Sequence, residues 1–126
     1  MAKAIFVVSS IYLVAVGFAL MAFPLQFGWG AVPSDAKPEL LAFLRLLGGP
    51  FLGIAVLNWL SRNLHPNSLN AVTLANIIGF GAVTANDAWG VISGDAREIA
   101  KLFLVVHLTF MLAFLGLFRT RAARMD

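Results

Sequence analysis

The chain has 126 residues, 60% of them hydrophobic and 12% charged, where soluble domains run at about 45–50% and about 25%. A domain this small cannot hide that much apolar surface from water, so a soluble globular fold is excluded and a bilayer is the expected solvent. The absence of cysteine excludes disulfides, thiolate chemistry and cysteine-held metal or iron–sulfur sites; the formal charge of +3 comes from few basic residues between apolar runs, which suits membrane orientation and not nucleic-acid binding.

Four apolar runs follow in chain order. Residues 4–23 come after a Met-Ala-Lys start and exceed the core of a signal peptide, about 7–15 residues. They are expected to stay as a first membrane helix. Residues 24–38 hold Pro24, Trp29, Pro33, Ser34 and Asp35, and their apolar, aromatic start suits the membrane interface. The second run, 40–60, ends at a short link containing Pro66. The third run is 69–91. Ser93-Gly94-Asp95 then reads as a turn, with Ser93 or Asp95 as a cap and Glu98 favouring the start of the fourth run, 99–118. Each run can cross about 30 Å of hydrocarbon at about 1.5 Å per residue. Short links favour an antiparallel arrangement, so the expected fold is all-α: one transmembrane domain over residues 1–126, an up-down bundle of four transmembrane helices. Continuous runs speak against a β-barrel. Lys3, Arg62, Arg119, Arg121 and Arg124 fall on one side, against Lys37, Arg97 and Lys101 on the other, which predicts cytoplasmic termini.

Some residues do not belong in lipid. Arg45 and Asp87 lie near the outer ends of the second and third helices, and a charge in lipid tends to pair. An Arg45–Asp87 ion pair is expected, with Asn86 and Trp89 beside it, as a polar site, a structural clamp, or an arginine snorkelling to headgroups. His107 and Tyr12 are expected at similar mid-membrane depth. His107 could carry protons, ligate haem or hold a quinone, or simply hydrogen-bond to Tyr12, Thr109 or a carbonyl. His65 is the only other histidine and lies in a loop, so a bis-histidine haem is not expected, and no cluster has metal-ligand spacing. Asn58 and Asn76 are expected to tie helices together, and Ser9 and Ser10 read as helix glue.

Small residues suggest which helices approach. Gly49 and Gly53 form one step on the second helix, and Ala71, Ala75 and Gly79 answer on the third. Pro50 should kink the second helix. Thr73, Asn76, Thr84 and Asp87 share a broad face of the third helix, expected to turn inward. Phe103, Phe110, Phe114 and Phe118 are expected to meet lipid or pack. There is no Walker loop, no dinucleotide fingerprint and no H-E-x-x-H zinc motif; no catalytic residue, metal or cofactor is assigned.

The stretch from Arg45 to Asn63, RLLGGPFLGIAVLNWLSRN, with the helix carrying Asn76 and Gly79, resembles small bacterial four-helix membrane proteins grouped as DoxX-like. The resemblance covers mainly the middle two helices. It implies a four-helix fold in the bacterial cytoplasmic membrane and brings no reaction and no ligand. Three functions stay open. The first is a non-enzymatic accessory or interaction subunit, or a binder of a lipid or other hydrophobic molecule. Its partners would be membrane lipids, another membrane protein or further copies of itself. The second is a small transporter or channel with a polar route through Arg45, Asn76, Asp87 and His107. The third is a redox protein or enzyme using His107 and Tyr12 on a lipid-soluble substrate.

Overall fold

The computed structural model describes residues 2–122. Its elements are α1 (Ala2–Ala22), a one-turn α2 (Pro24–Phe27), α3 (Pro38–Ser61), a 3-10 turn (Pro66–Leu69), α4 (Asn70–Ser93) and α5 (Ala100–Ala122). Among the described residues there is no strand. Each expected apolar run corresponds to one of the four long helices. Helices α1 and α3 and residues 100–120 of α5 are long and apolar enough to cross a membrane. Helix α4 has the length, but Asn70, Thr73, Asn76, Thr84, Asn86 and Asp87 dilute it, and it is not among the three. Arg124, counted on the basic side, lies outside the described residues.

Local chemistry fixes the helix ends. Pro38 opens α3 after an extended Lys37, where a missing N–H is harmless, and Glu39 complements the positive end of the helix. The helix then runs through Pro50 to Ser61. Gly94 stops α4 by adopting φ 79°, a left-handed conformation that glycine takes without a Cβ penalty. Ser93 does not cap α5. Its hydroxyl oxygen accepts the Asp95 N–H at 3.4 Å, inside the turn.

The chain forms two compact units. The first, Phe6–Arg62, is built on α1 and α3. Its α1 residues Phe6, Ser10, Leu13, Gly17 and Leu20 are buried, alternating steps of four and three. On α3 the buried residues include Gly48, Ala55 and Asn58. Two contacts define how these helices meet. The Ser10 hydroxyl donates to the Ala55 carbonyl at 2.7 Å. At Gly17 a Cβ would come 2.9 Å from the Gly48 carbonyl oxygen. Ser10 and Gly17 are seven residues apart, as are Ala55 and Gly48 in the opposite sense, so the helices run antiparallel in one constant register. Only small residues permit an approach at which a hydroxyl reaches a helical carbonyl. Beside this seam the Asn58 amide donates to Ser9 Oγ at 3.1 Å, and the Ser9 hydroxyl donates to the Phe6 carbonyl at 3.1 Å. Ser9 and Ser10 are therefore helix glue, as expected.

The expected small-residue face is not where this approach occurs. Gly49, Gly53, Ala71, Ala75 and Gly79 are all exposed, and a Cβ at any of the three glycines would meet nothing within 4 Å. A four-residue spacing finds a smooth stripe, but it does not say which stripe has a neighbour. Gly48 sits about 100° round the helix from Gly49, on the face in register with α1.

The second unit holds α4, α5 and the first turn of α1. Here the seam is aromatic. Phe80 of α4 stacks on Phe110 at 4.8 Å and on Phe114 at 6.0 Å between ring centroids. Phe114 is fully buried and Leu117 continues the face. Phe110 and Phe114 thus pack, and the face of α4 carrying Thr73, Asn76 and Phe80 is buried.

Gly48→Ala is expected to destabilise the protein by about 1–3 kcal/mol, because its Cβ has to displace backbone of α1 as well as Met21. Gly49→Ala should be neutral or stabilising by up to about 1 kcal/mol, through helix propensity alone. Denaturant unfolding in detergent compares the two directly. Equal effects would remove the Gly17–Gly48 approach from the account.

Candidate functional site

Asp87 and His107 follow from the register of the α4–α5 seam. Asp87 is seven residues after Phe80, and His107 seven residues before Phe114. In an antiparallel pair these offsets bring them to the same level, and His107 Nδ1 lies 2.6 Å from Asp87 Oδ2. The two side chains are 11% and 15% exposed. The imidazole lies between aromatic neighbours: Phe103 is stacked at 6.0 Å and Phe80 tilted at 6.2 Å. The Arg97 guanidinium lies 5.8 Å from the centroid of the Phe103 ring. One turn along α4 from Asp87, the Thr84 hydroxyl donates to the Phe80 carbonyl at 2.7 Å.

This arrangement fixes the chemistry of the imidazole. An ionised carboxylate only accepts, so with Asp87 ionised the hydrogen bond would come from a proton on Nδ1. In the neutral ring Nε2 is then the basic nitrogen, and the carboxylate holds both tautomer and ring orientation. Among the described residues, no group of three His, Asp or Glu side chains could hold a metal ion.

The structure joins two of the residues singled out from sequence and separates others from them. Arg45 was the expected partner of Asp87; the carboxylate is instead engaged by His107, and Arg45 is exposed on α3 without an ion pair among the described residues. Asn86 and Trp89 are exposed, Trp89 to 71%, so they do not line the buried pair. Asn76 is buried on the same α4 face, and its amide donates to the Val72 carbonyl at 2.8 Å. Tyr12 is half-buried on α1, in the other unit.

A signal for the Asp87–His107 pair was present in the sequence. Both residues lie ten positions from Arg97, in the middle of the link. Depth counted from the ends of the apolar runs set Asp87 too shallow, because α4 continues to Ser93 and α5 starts at Ala100.

No protein-family model matches this chain, and no curated protein or solved structure is similar to it. The site is therefore read from its own geometry.

A double-mutant cycle of Asp87→Asn and His107→Gln, followed by unfolding in detergent, is expected to give a coupling of about 1–3 kcal/mol. Strict additivity would mean that the contact contributes nothing to holding α4 on α5.

Proposed function

We propose that the chain is a four-span protein of the bacterial inner membrane, with both termini cytoplasmic, that binds and releases protons at Asp87–His107 as the coupling element of a small transporter. The 2.6 Å contact between two largely buried ionisable side chains supports this best. Ionisable residues inside a membrane are costly and commonly mark ion or proton routes. With a neutral imidazole the pair carries one net negative charge. Uptake of one proton turns it into an imidazolium–carboxylate pair of zero net charge. The energy of holding the pair in hydrocarbon therefore changes with each proton bound, and such a difference can bias a two-state protein.

The fourth crossing is supported by the way α4 distributes its residues. Thr73 and Asn76 are buried and Thr84 and Asp87 are half-buried, whereas Leu74, Ile78 and Ile92 are exposed. Its outward surface is more apolar than its composition. The basic bias of the sequence, Lys3, Arg62, Arg119, Arg121 and Arg124 against Lys37, Arg97 and Lys101, supports the orientation. The likeness to DoxX-like proteins agrees with the fold and the membrane, and offers no substrate. The accessory or lipid-binding role keeps one observation of its own favour, an apolar groove beside Trp59.

Two measurements test the proposal. Single cysteines at Asn70 and Ser93, in a chain with none of its own, should be labelled from opposite faces of sealed vesicles. Labelling from one face removes the fourth crossing. In liposomes with an imposed pH gradient, the protein should speed dissipation. Asp87→Asn and His107→Gln should each lower that rate about tenfold or more, as for a residue on a proton route, while Trp89→Phe leaves it unchanged. A rate no faster than that of empty liposomes, or insensitive to both substitutions, would exclude proton conduction through the pair.

A further inference from the structure

Helices α1 and α3 enclose an open groove of about 310 Å³ within the first unit, lined by Ile11 and Val14 on one side and by Val56 and Trp59 on the other, with Ser10 at its floor. Its apolar side chains are well exposed: Ile11 60%, Val56 55%, Trp59 44%. Ser10 is not available to a guest through its proton, which it donates to the Ala55 carbonyl. The groove is therefore apolar in function as well as composition, and suits an alkyl chain.

One end of it is different. The Arg62 guanidinium lies 4.0 Å from the centroid of the Trp59 ring, and its Nη1 also donates to the Trp59 carbonyl. A cation is thus fixed against a ring that lines the groove, at the C-terminal end of α3 where helix gives way to loop. The carbonyl uses one N–H of a guanidinium that has several, all of them donors with no acceptor capacity. Stacking limits the rotamers of the long side chain and leaves its remaining edge to face an anion. An alkyl slot ending in an immobilised guanidinium, on a helix pair apolar enough to cross a membrane, has the charge pattern of an amphiphile with an anionic head.

We infer that this groove binds a glycerophospholipid of net negative headgroup, one acyl chain lying along Ile11, Val14, Val56 and Trp59 and the phosphate on Arg62. Binding needs the chain to be in a membrane and is independent of proton binding at Asp87–His107. The lipid head neutralises a cation that otherwise faces the interface, and guanidinium geometry suits two phosphate oxygens at once. The acyl chain fills a surface hollow that a smooth helix pair would not have.

The test uses Trp59 as its own reporter. Trp29 and Trp89 are 81% and 71% exposed, so Trp29→Phe and Trp89→Phe should leave a folded protein with a single tryptophan. This protein is reconstituted in zwitterionic phospholipid vesicles containing a minor fraction of phospholipid with brominated acyl chains, either anionic or zwitterionic. Bromine quenches only at contact. The anionic probe is expected to quench Trp59 several-fold more than the zwitterionic probe at equal mole fraction. Arg62→Gln should abolish that preference while leaving the zwitterionic quenching unchanged, and Arg62→Lys should keep part of it. Equal quenching by both probes, or a preference that survives Arg62→Gln, would overturn the site and leave only ordinary contact with bulk lipid. No quenching by either probe would overturn the site together with the membrane placement of α3.

Discussion

Hydrocarbon offers a polar atom no partner, so a buried hydroxyl, amide or charge on an apolar helix must be satisfied within the protein. Among the described residues, no buried side-chain nitrogen or oxygen lacks a hydrogen-bond partner. Two devices achieve this. Serine and threonine hydroxyls turn back on their own helices, as Thr84 does on Phe80 and Ser61 on Leu57. Other groups reach across to the neighbouring helix, as Ser10 and Asn58 do in the first unit and His107 in the second. The first device needs no neighbour. The second fixes the register of a helix pair, because a side-chain bond to a given carbonyl or carboxylate tolerates no sliding.

The two units apply one geometry to different contents. In each, paired contacts recur seven residues apart on both helices, the spacing at which an antiparallel seam keeps facing its partner. Between α1 and α3 the seam is small, with Gly17, Gly48 and Ala55, and the backbones come close enough for Ser10 to bond to one of them. Between α4 and α5 it is large, with Phe80 against Phe110 and Phe114. A close seam leaves no room for a titratable pair. In the aromatic seam an imidazole and a carboxylate meet beside the rings. The rings also screen the pair from water, which strengthens the contact and raises the penalty for breaking it.

How much of this was legible depends on the scale of the question. The four helices were readable because each run is long and bounded by turn residues, although the third is diluted by polar residues. The glue role of Ser9 and Ser10 was readable because a hydroxyl amid apolar neighbours has few alternatives. Partner choice was not. Gly49 and Gly53 satisfy a small-residue spacing as well as Gly48 does, and only the neighbour distinguishes them. Asp87 was assigned to Arg45 because opposite charges at apparently similar depth attract attention before a neutral histidine does. Helix α4 runs past its apolar run to Ser93 and α5 begins only at Ala100, which together bring Asp87 and His107 to one level. That is enough to exchange one partner for another.

The difference between Arg45 and Asp87 has a physical basis. Arg45 ends a long flexible stem, and from its exposed position on α3 the guanidinium can reach polar surroundings without a protein partner. Asp87 has a single methylene and cannot leave its level on the helix. Its charge must be met where it stands, by a side chain on the adjacent helix at the same height. A lysine or arginine there would neutralise it permanently and leave a clamp. A histidine neutralises it only when protonated. In the proposed function the same geometry serves both purposes: the contact that holds α4 on α5 and the proposed proton site are the same two residues.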